Sequence, residues 1–203
     1  MKHTTTIILS ALILTSCLET DWPTDAEIET VRRATIALRD TPDRGGVRHI
    51  CTAVAIGPRR FATVYHCADS RPIIWYATFA SYMANLPPMR AERHECAKLR
   101  QSPSAVQDGW CTYTTEQELA EYLPVGSLCD GPAIQVGHPD WRGWDVVTHA
   151  EVQRERHWWT ASGPRFLGHG ASGSPLVCAQ SELRVVGVLM TNQGQSAPVE
   201  GAE

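Results

Sequence analysis

Cys51-Thr-Ala-Val-Ala-Ile-Gly-Pro-Arg-Arg-Phe-Ala-Thr-Val-Tyr-His66-Cys67 is the stretch from which the rest of the chain is read. Two apolar runs flank Gly57-Pro58, a pair whose backbone preferences make a turn, so the spacing is that of a hairpin. The hairpin delivers a histidine and a cysteine at its far end. A second stretch, Gly168-His-Gly-Ala-Ser172-Gly-Ser-Pro-Leu-Val-Cys178, sets a serine in a glycine-rich turn that enters another apolar run.

Working outward, strand-like patterns recur at short intervals. Residues 35–39 start one, and Asp40-Thr-Pro-Asp-Arg-Gly-Gly46 supplies turn chemistry before the next, over 47–56. Residues 61–64 complete the hairpin, and 73–79 form a further β-rich run. Residues 81–107 read as irregular and basic, with Pro87-Pro88 forbidding a continuous element. Residues 110–113 read as a strand, and 115–122 as either a brief helix or a loop turn. Strand signals return at 133–136, 144–152, 157–160, 176–178 and 183–190. Many short strands joined by turns indicate an all-β barrel or sandwich, and the pattern alone leaves that choice open. Trp141, Trp144, Trp158 and Trp159 read as core or rim packing rather than as a ligand platform.

Thr63-Val-Tyr-His-Cys67 resembles the Thr-Ala-Ala-His-Cys of trypsin-like (chymotrypsin-fold) serine peptidases, and the turn around Ser172 resembles their nucleophile turn. The resemblance implies two antiparallel six-stranded-type β-barrels, roughly residues 31–122 and 128–203, with the active site in the cleft between them. It also implies a shortened C-terminal tail, because little chain follows the serine. A serine hydroxyl is a weak nucleophile near neutral pH, so acyl transfer needs a base within hydrogen-bond reach and a third group to orient that base. By resemblance Ser172 is the nucleophile and His66 the base. Gly170 and Gly173 permit backbone angles that a Cβ would resist, so the amides of Gly170 and Ser172 are expected to converge as an oxyanion hole. The acid is assigned to Asp108, which precedes the Trp110-Cys-Thr-Tyr strand. Asp69 is too close to His66 to reach around the ring, and Asp130 and Asp145 flank a strand of the second barrel.

Several departures from the family pattern carry information. Members activated by cutting have an aspartate just before the serine; here Ala171 stands there, so no pro-peptide switch of that kind is expected. By resemblance Phe166 lies at the base of the primary substrate pocket, with Met190 and Asn192 on its wall. No acid sits at that base, which disfavours cleavage after Arg or Lys. His169 reads as a surface-loop histidine rather than a recognition group.

The N-terminus has a reading of its own. Lys2 and His3 precede a short apolar run over 7–14, too short to span a bilayer, which makes residues 1–16 a signal peptide. Leu14-Thr-Ser-Cys17 resembles the lipobox of bacterial lipoproteins, which implies lipidation of Cys17; an ordinary secretory signal is the alternative. Leu18 in place of an aspartate favours the outer membrane where the host has one. Residues 17–30 then read as a tether and 31–203 as the peptidase domain, a size that suits two small barrels. Of the seven cysteines, six remain after Cys17, an even set in an exported chain whose pairing the residues alone leave open. The resemblance implies Cys51–Cys67 and Cys129–Cys178, which leaves Cys96–Cys111. No Cys-x-x-Cys or His-x-x-x-His spacing appears, so no metal is expected, and no cofactor. A net charge of -4 with interspersed signs argues against a nucleic-acid partner. The expected function is a secreted, lipid-anchored serine endopeptidase acting on peptide or protein substrates. The competing expectation is a catalytically silent module of the same fold that binds a partner at the cell envelope.

Overall fold

A computed structural model describes residues 22–39, 49–68, 73–99, 109–129, 131–139, 143–155, 157–166, 168–180, 182–191 and 193–199. The chain forms two β-sheet units in sequence. Six strands close the first barrel in the order β1-β2-β3-β6-β5-β4: β1 is Thr35–Arg39, β2 His49–Gly57, β3 Arg60–Val64, β4 Ile73–Thr78, β5 Met89–Lys98 and β6 Gly109–Thr115. Every pairing in it is antiparallel. Its interior is filled by Phe61 stacked on Tyr113 at 5.2 Å between centroids, with Tyr76 tilted against Phe61 at 5.4 Å. Burying each such ring stabilises the fold by about 1.5–3 kcal/mol.

The second unit comprises β7 (Ala133–Gly137), β8 (Asp145–His149), β9 (Val152–Arg154), β10 (Trp159–Ala161), β11 (Pro175–Ala179), β12 (Leu183–Leu189) and β13 (Gln195–Pro198). Their order is β8-β7-β11-β12-β13-β10-β9. The two outer strands, β8 and β9, are consecutive pieces of one run interrupted at Ala150-Glu151, so chain continuity joins the sheet's ends and curls it into a nearly closed barrel. Expected as one strand over 144–152, this run bends because it serves β7 with one half and β10 with the other. The two-barrel, all-β architecture is the one expected. One continuous apolar cluster joins the units, with Phe61, Val64 and Tyr113 from the first and Ile134, Val177 and Val188 from the second. The connecting segment straps them together through Leu119 N–H to Pro58 O (2.7 Å), Leu123 N–H to Ala55 O (3.0 Å) and Gly126 N–H to Val185 O (3.0 Å).

Of the two readings open for residues 115–122, the loop is the one found, beyond Thr115 at the end of β6. Three elements differ from the sequence reading. Asp25–Ala34 is an α-helix, α1, where a tether to residue 30 was expected. Thr24 and Glu27 form a reciprocal capping box, and Val31 and Ala34 bury one face in the core, which together offset the ordering of a polar segment. Within 81–107, read as irregular, lies the ten-residue strand β5. Pro87-Pro88 stop an element from running through them but not from starting at Met89. A short helix, α2 (Phe79–Met83), is capped by Thr78.

A buried polar network locks the second unit. His149 is fully buried, with Nδ1 2.8 Å from the Ser162 carbonyl and Nε2 2.9 Å from the Gln135 amide, whose other end lies 3.4 Å from Ser196 Oγ. An Nδ1–H donor to Ser162 leaves Nε2 as acceptor, so Gln135 turns its NH2 to the ring and its oxygen to the Ser196 hydroxyl. Burial pushes the His149 pKa below the ordinary histidine value, outweighing the Ser162 carbonyl, which favours the charged ring. The unfolded chain therefore takes up this proton first as pH falls below about 6.5. Stability from His149 is complete above that value and declines until the lowered folded pKa is reached, by at most about 1.4 kcal/mol per pH unit. Urea unfolding between pH 7.5 and 5 should show this decline, and His149→Gln should lessen it, leaving the share of His138, whose pKa burial also lowers; an equal slope in both proteins would remove His149 as a cause.

Candidate active site

His66 is placed by short-range geometry. Strand β3 ends at Val64, and Tyr65–Cys67 form a single 3-10 turn. Cys67 is bonded to Cys51 of β2 with Cα atoms 6.2 Å apart, so the turn is tied down at its far end. Tyr65 and Cys67 are buried while His66 is half-buried, its Nδ1 edge shut off from solvent. The other two bridges are Cys96–Cys111, directly opposed residues on β5 and β6, and Cys129–Cys178.

Ser172 stands on the turn that enters β11. Gly168, Gly170 and Gly173 all take positive φ, 112°, 97° and 86°, as expected of a turn that reverses sharply before a strand. Ser174 pins the turn internally, its amide (2.9 Å) and hydroxyl (2.6 Å) both donating to the Ala171 carbonyl. The turn then docks across the cleft. Thr52 of β2 donates its amide to the Ser172 carbonyl at 2.7 Å and its hydroxyl to the Gly170 carbonyl at 2.7 Å. The Cys67 sulfur lies 3.9 Å from the same Ser172 oxygen, a packing contact because a disulfide sulfur carries no proton. The serine turn and the histidine turn thus meet at one disulfide although the sequence separates Cys67 from Ser172 by 105 positions. Among the described residues, no hydrogen bond takes up the amides of Gly170 and Ser172.

Beside Ser172 opens a pocket of about 260 Å³ lined by Phe166, Gly168, His169, Ala171, Leu189 and Thr191. Phe166 is buried with Val147, Ala171 and Leu189, which makes its ring a solid floor. Met190, expected on the wall, turns into the main core instead. The reason is the period of two along the chain leaving β12: Leu189 and Thr191 face the pocket, so Met190 faces away. Asn192, Asp108, Asp69, Asp130, Trp141 and Cys17 lie outside the described residues. Asp145 opens β8, exposed, accepting the Val146 amide at 2.8 Å. Trp159 is core, as expected, its Nε1 donating to the Val186 carbonyl at 2.9 Å.

No protein-family model matches the chain, and no curated protein matches it in sequence. Solved structures do. A serine protease of human pathogenic astrovirus superposes with a TM-score of 0.59 at 15% identity, over 84% of this chain and 92% of that one. A serine endoprotease of Yersinia pestis superposes with a TM-score of 0.60 at 16% identity, over 89% of this chain and 64% of that one. The fold is that of the trypsin-like serine proteases. At such identity the likeness speaks for the fold and not for the chemistry. Three disulfides in this trypsin-like chain point to an oxidising compartment.

Sequence reasoning missed Thr52, Thr63 and Leu189, and ran the pocket wall through Thr191 without singling it out. A signal for the first two existed. Each is a polar residue inside an otherwise apolar strand run, and both are fully buried. Buried hydroxyls need partners, and here Thr63 donates to the Thr52 carbonyl at 2.7 Å while Thr52 reaches across to the serine turn. That crossing ties the serine turn to the first barrel.

Proposed function

We propose that the protein is an exported serine endopeptidase in which Ser172 forms an acyl-enzyme with its peptide substrate. The observation that carries this reading is the docking of the Ser172 turn onto Thr52 and the Cys51–Cys67 bridge, immediately beside His66. His66 takes the Ser172 proton as the hydroxyl oxygen bonds to the scissile carbonyl carbon. The carbonyl oxygen becomes an oxyanion held by the Gly170 and Ser172 amides, a term whose loss typically costs about 10²- to 10³-fold in turnover. His66 then gives its proton to the leaving amine, and water, activated by the same ring, releases the acid. Asp108 is assigned to the buried Nδ1 edge, where a carboxylate fixes the tautomer and stabilises the imidazolium.

The Phe166 floor sets specificity. No acid lines the pocket among the described residues, so the site takes a side chain of modest length and not Arg or Lys. Ala171 packs into the apolar cluster around Phe166, which leaves nothing there for a freed amino terminus to pair with. Cys17 carries the lipid in this reading, and residues 1–16 are removed. The test is turnover of a quenched peptide mixture varied before the scissile bond, by wild type and Ser172→Ala, alongside fatty-acid labelling of Cys17→Ser. Cleavage that survives Ser172→Ala contradicts the mechanism, and label that survives Cys17→Ser contradicts the anchor.

A further inference from the structure

We propose that the Thr52 hydroxyl is a positioning residue that anchors the Gly170–Ala171 peptide from the opposite barrel and, through the Gly170 Cα, places the Gly170 amide. Its consequence for rate rests on the peptidase reading above; its consequence for the turn does not.

The bonding of the turn singles out this hydroxyl. Three successive carbonyls, those of Gly170, Ala171 and Ser172, set the planes of three rigid peptide units. The Ala171 carbonyl is held within the turn by Ser174, at 2.9 Å and 2.6 Å. The Ser172 carbonyl is held by the Thr52 amide at 2.7 Å, and the same peptide unit donates through Gly173 N–H to the Leu189 carbonyl at 2.8 Å. The Gly170 carbonyl accepts from the Thr52 hydroxyl at 2.7 Å. That bond fixes the Gly170–Ala171 peptide, which lies between the units carrying the Gly170 and Ser172 amides; Gly170, at φ 97°, has no Cβ to resist rotation, so the unit carrying its own amide takes its direction from this anchored neighbour. Thr52 itself is over-determined. It is fully buried, its hydroxyl accepts from the His138 amide at 3.2 Å, and its carbonyl accepts from Thr63 at 2.7 Å. The hydroxyl therefore has one proton and one direction for it, toward Gly170. Because Thr52 follows Cys51, whose partner Cys67 adjoins His66, the same short piece of β2 references both the histidine and the oxyanion donors.

The experiment compares Thr52→Val, which keeps the shape and removes the hydroxyl, with Thr52→Ser, which keeps the hydroxyl. Thr35→Val removes a buried hydroxyl bond, Thr35 to the Val31 carbonyl at 2.6 Å, in β1 and serves as the structural control. Misplacing a catalytic group by about 1 Å can cost about 10²-fold. Thr52→Val is expected to lower kcat by about 10- to 10²-fold with KM within about twofold, and to weaken a transition-state-like peptide aldehyde by the same factor. Thr52→Ser should restore both to within about threefold, and Thr35→Val should lower Tm without changing kcat. If the valine chain does not fold, Thr52→Ala replaces it. Equal kcat in Thr52→Val and wild type, or a loss that Thr52→Ser does not rescue, would overturn the assignment. The amide resonances of Gly170 and Ser172 decide it separately from activity. They should move or double in Thr52→Val together with the Ala171 amide, which belongs to the peptide unit the hydroxyl holds, and stay in place in Thr52→Ser. Unmoved resonances overturn the positioning role, whereas an inactive wild type whose resonances respond as expected overturns only the peptidase reading.

Discussion

Gly173→Ala is expected to destabilise the protein by about 2–5 kcal/mol and to slow acylation of Ser172 at least tenfold. Two costs combine. At φ 86° an alanine pays roughly 1–2 kcal/mol of backbone strain. Its Cβ would also run into the Thr52 carbonyl and the Thr63 hydroxyl, which belong to the backbone and core of the other barrel and cannot swing aside. Forcing a carbon into such a place costs about 1–3 kcal/mol. The turn can relieve the clash only by backing away from β2, which breaks the two bonds to Thr52. Gly143→Ala isolates the second cost, since Gly143 also has positive φ, 106°, but nothing stands within 4 Å of its Cβ position. Urea unfolding and labelling rates of the two variants give the comparison. Equal stability and equal rates would show that the turn is not wedged against the first barrel.

The second large effect concerns His66 and the acid assigned to it. His66→Ala is expected to reduce kcat by about 10⁴- to 10⁶-fold, as for members of triads that act as a unit, with KM little changed. Asp108→Asn should cost about 10⁴-fold, because the ring is then held in the wrong tautomer. Asp145→Asn should cost nothing, since that carboxylate stands exposed at the start of β8 in the second unit and caps its own neighbour's amide. A pH profile separates the cases: the His66-dependent rise in kcat/KM should vanish with His66→Ala. A full rate in Asp108→Asn would move the acid elsewhere, and a full rate in His66→Ala would end the base assignment.

What the residues disclosed and what they withheld follow from the range of the forces involved. The β2–β3 hairpin was legible because its turn chemistry, apolar runs and cysteine are all local. The serine turn was legible for the same reason. Strand β5 was not: Glu92, Arg93, His94 and Glu95 face solvent, so the strand lacks an apolar alternation and is held by pairing to β4 and β6 and by the Cys96–Cys111 bridge. Helix α1 hid behind its acids and threonines, although Thr24 and Glu27 have the spacing of a capping box. The pocket wall missed by one position. Whether Leu189 or Met190 faces the cavity depends on the register of β12 against β11 and β13, which is a long-range property. Thr52 shows the same limit from the other side, because a buried hydroxyl in a strand announces that a partner exists and not which one.

The central claim is that the hydroxyl of Ser172 is activated by His66, and its most direct measurement is the intact mass of the folded protein after exposure to a fluorophosphonate, with the adduct mapped by peptide. One phosphonyl group on Ser172 is the predicted result, absent from Ser172→Ala and slowed by orders of magnitude in His66→Ala. A folded wild type that gains no mass, or that gains it on another residue, would contradict the account.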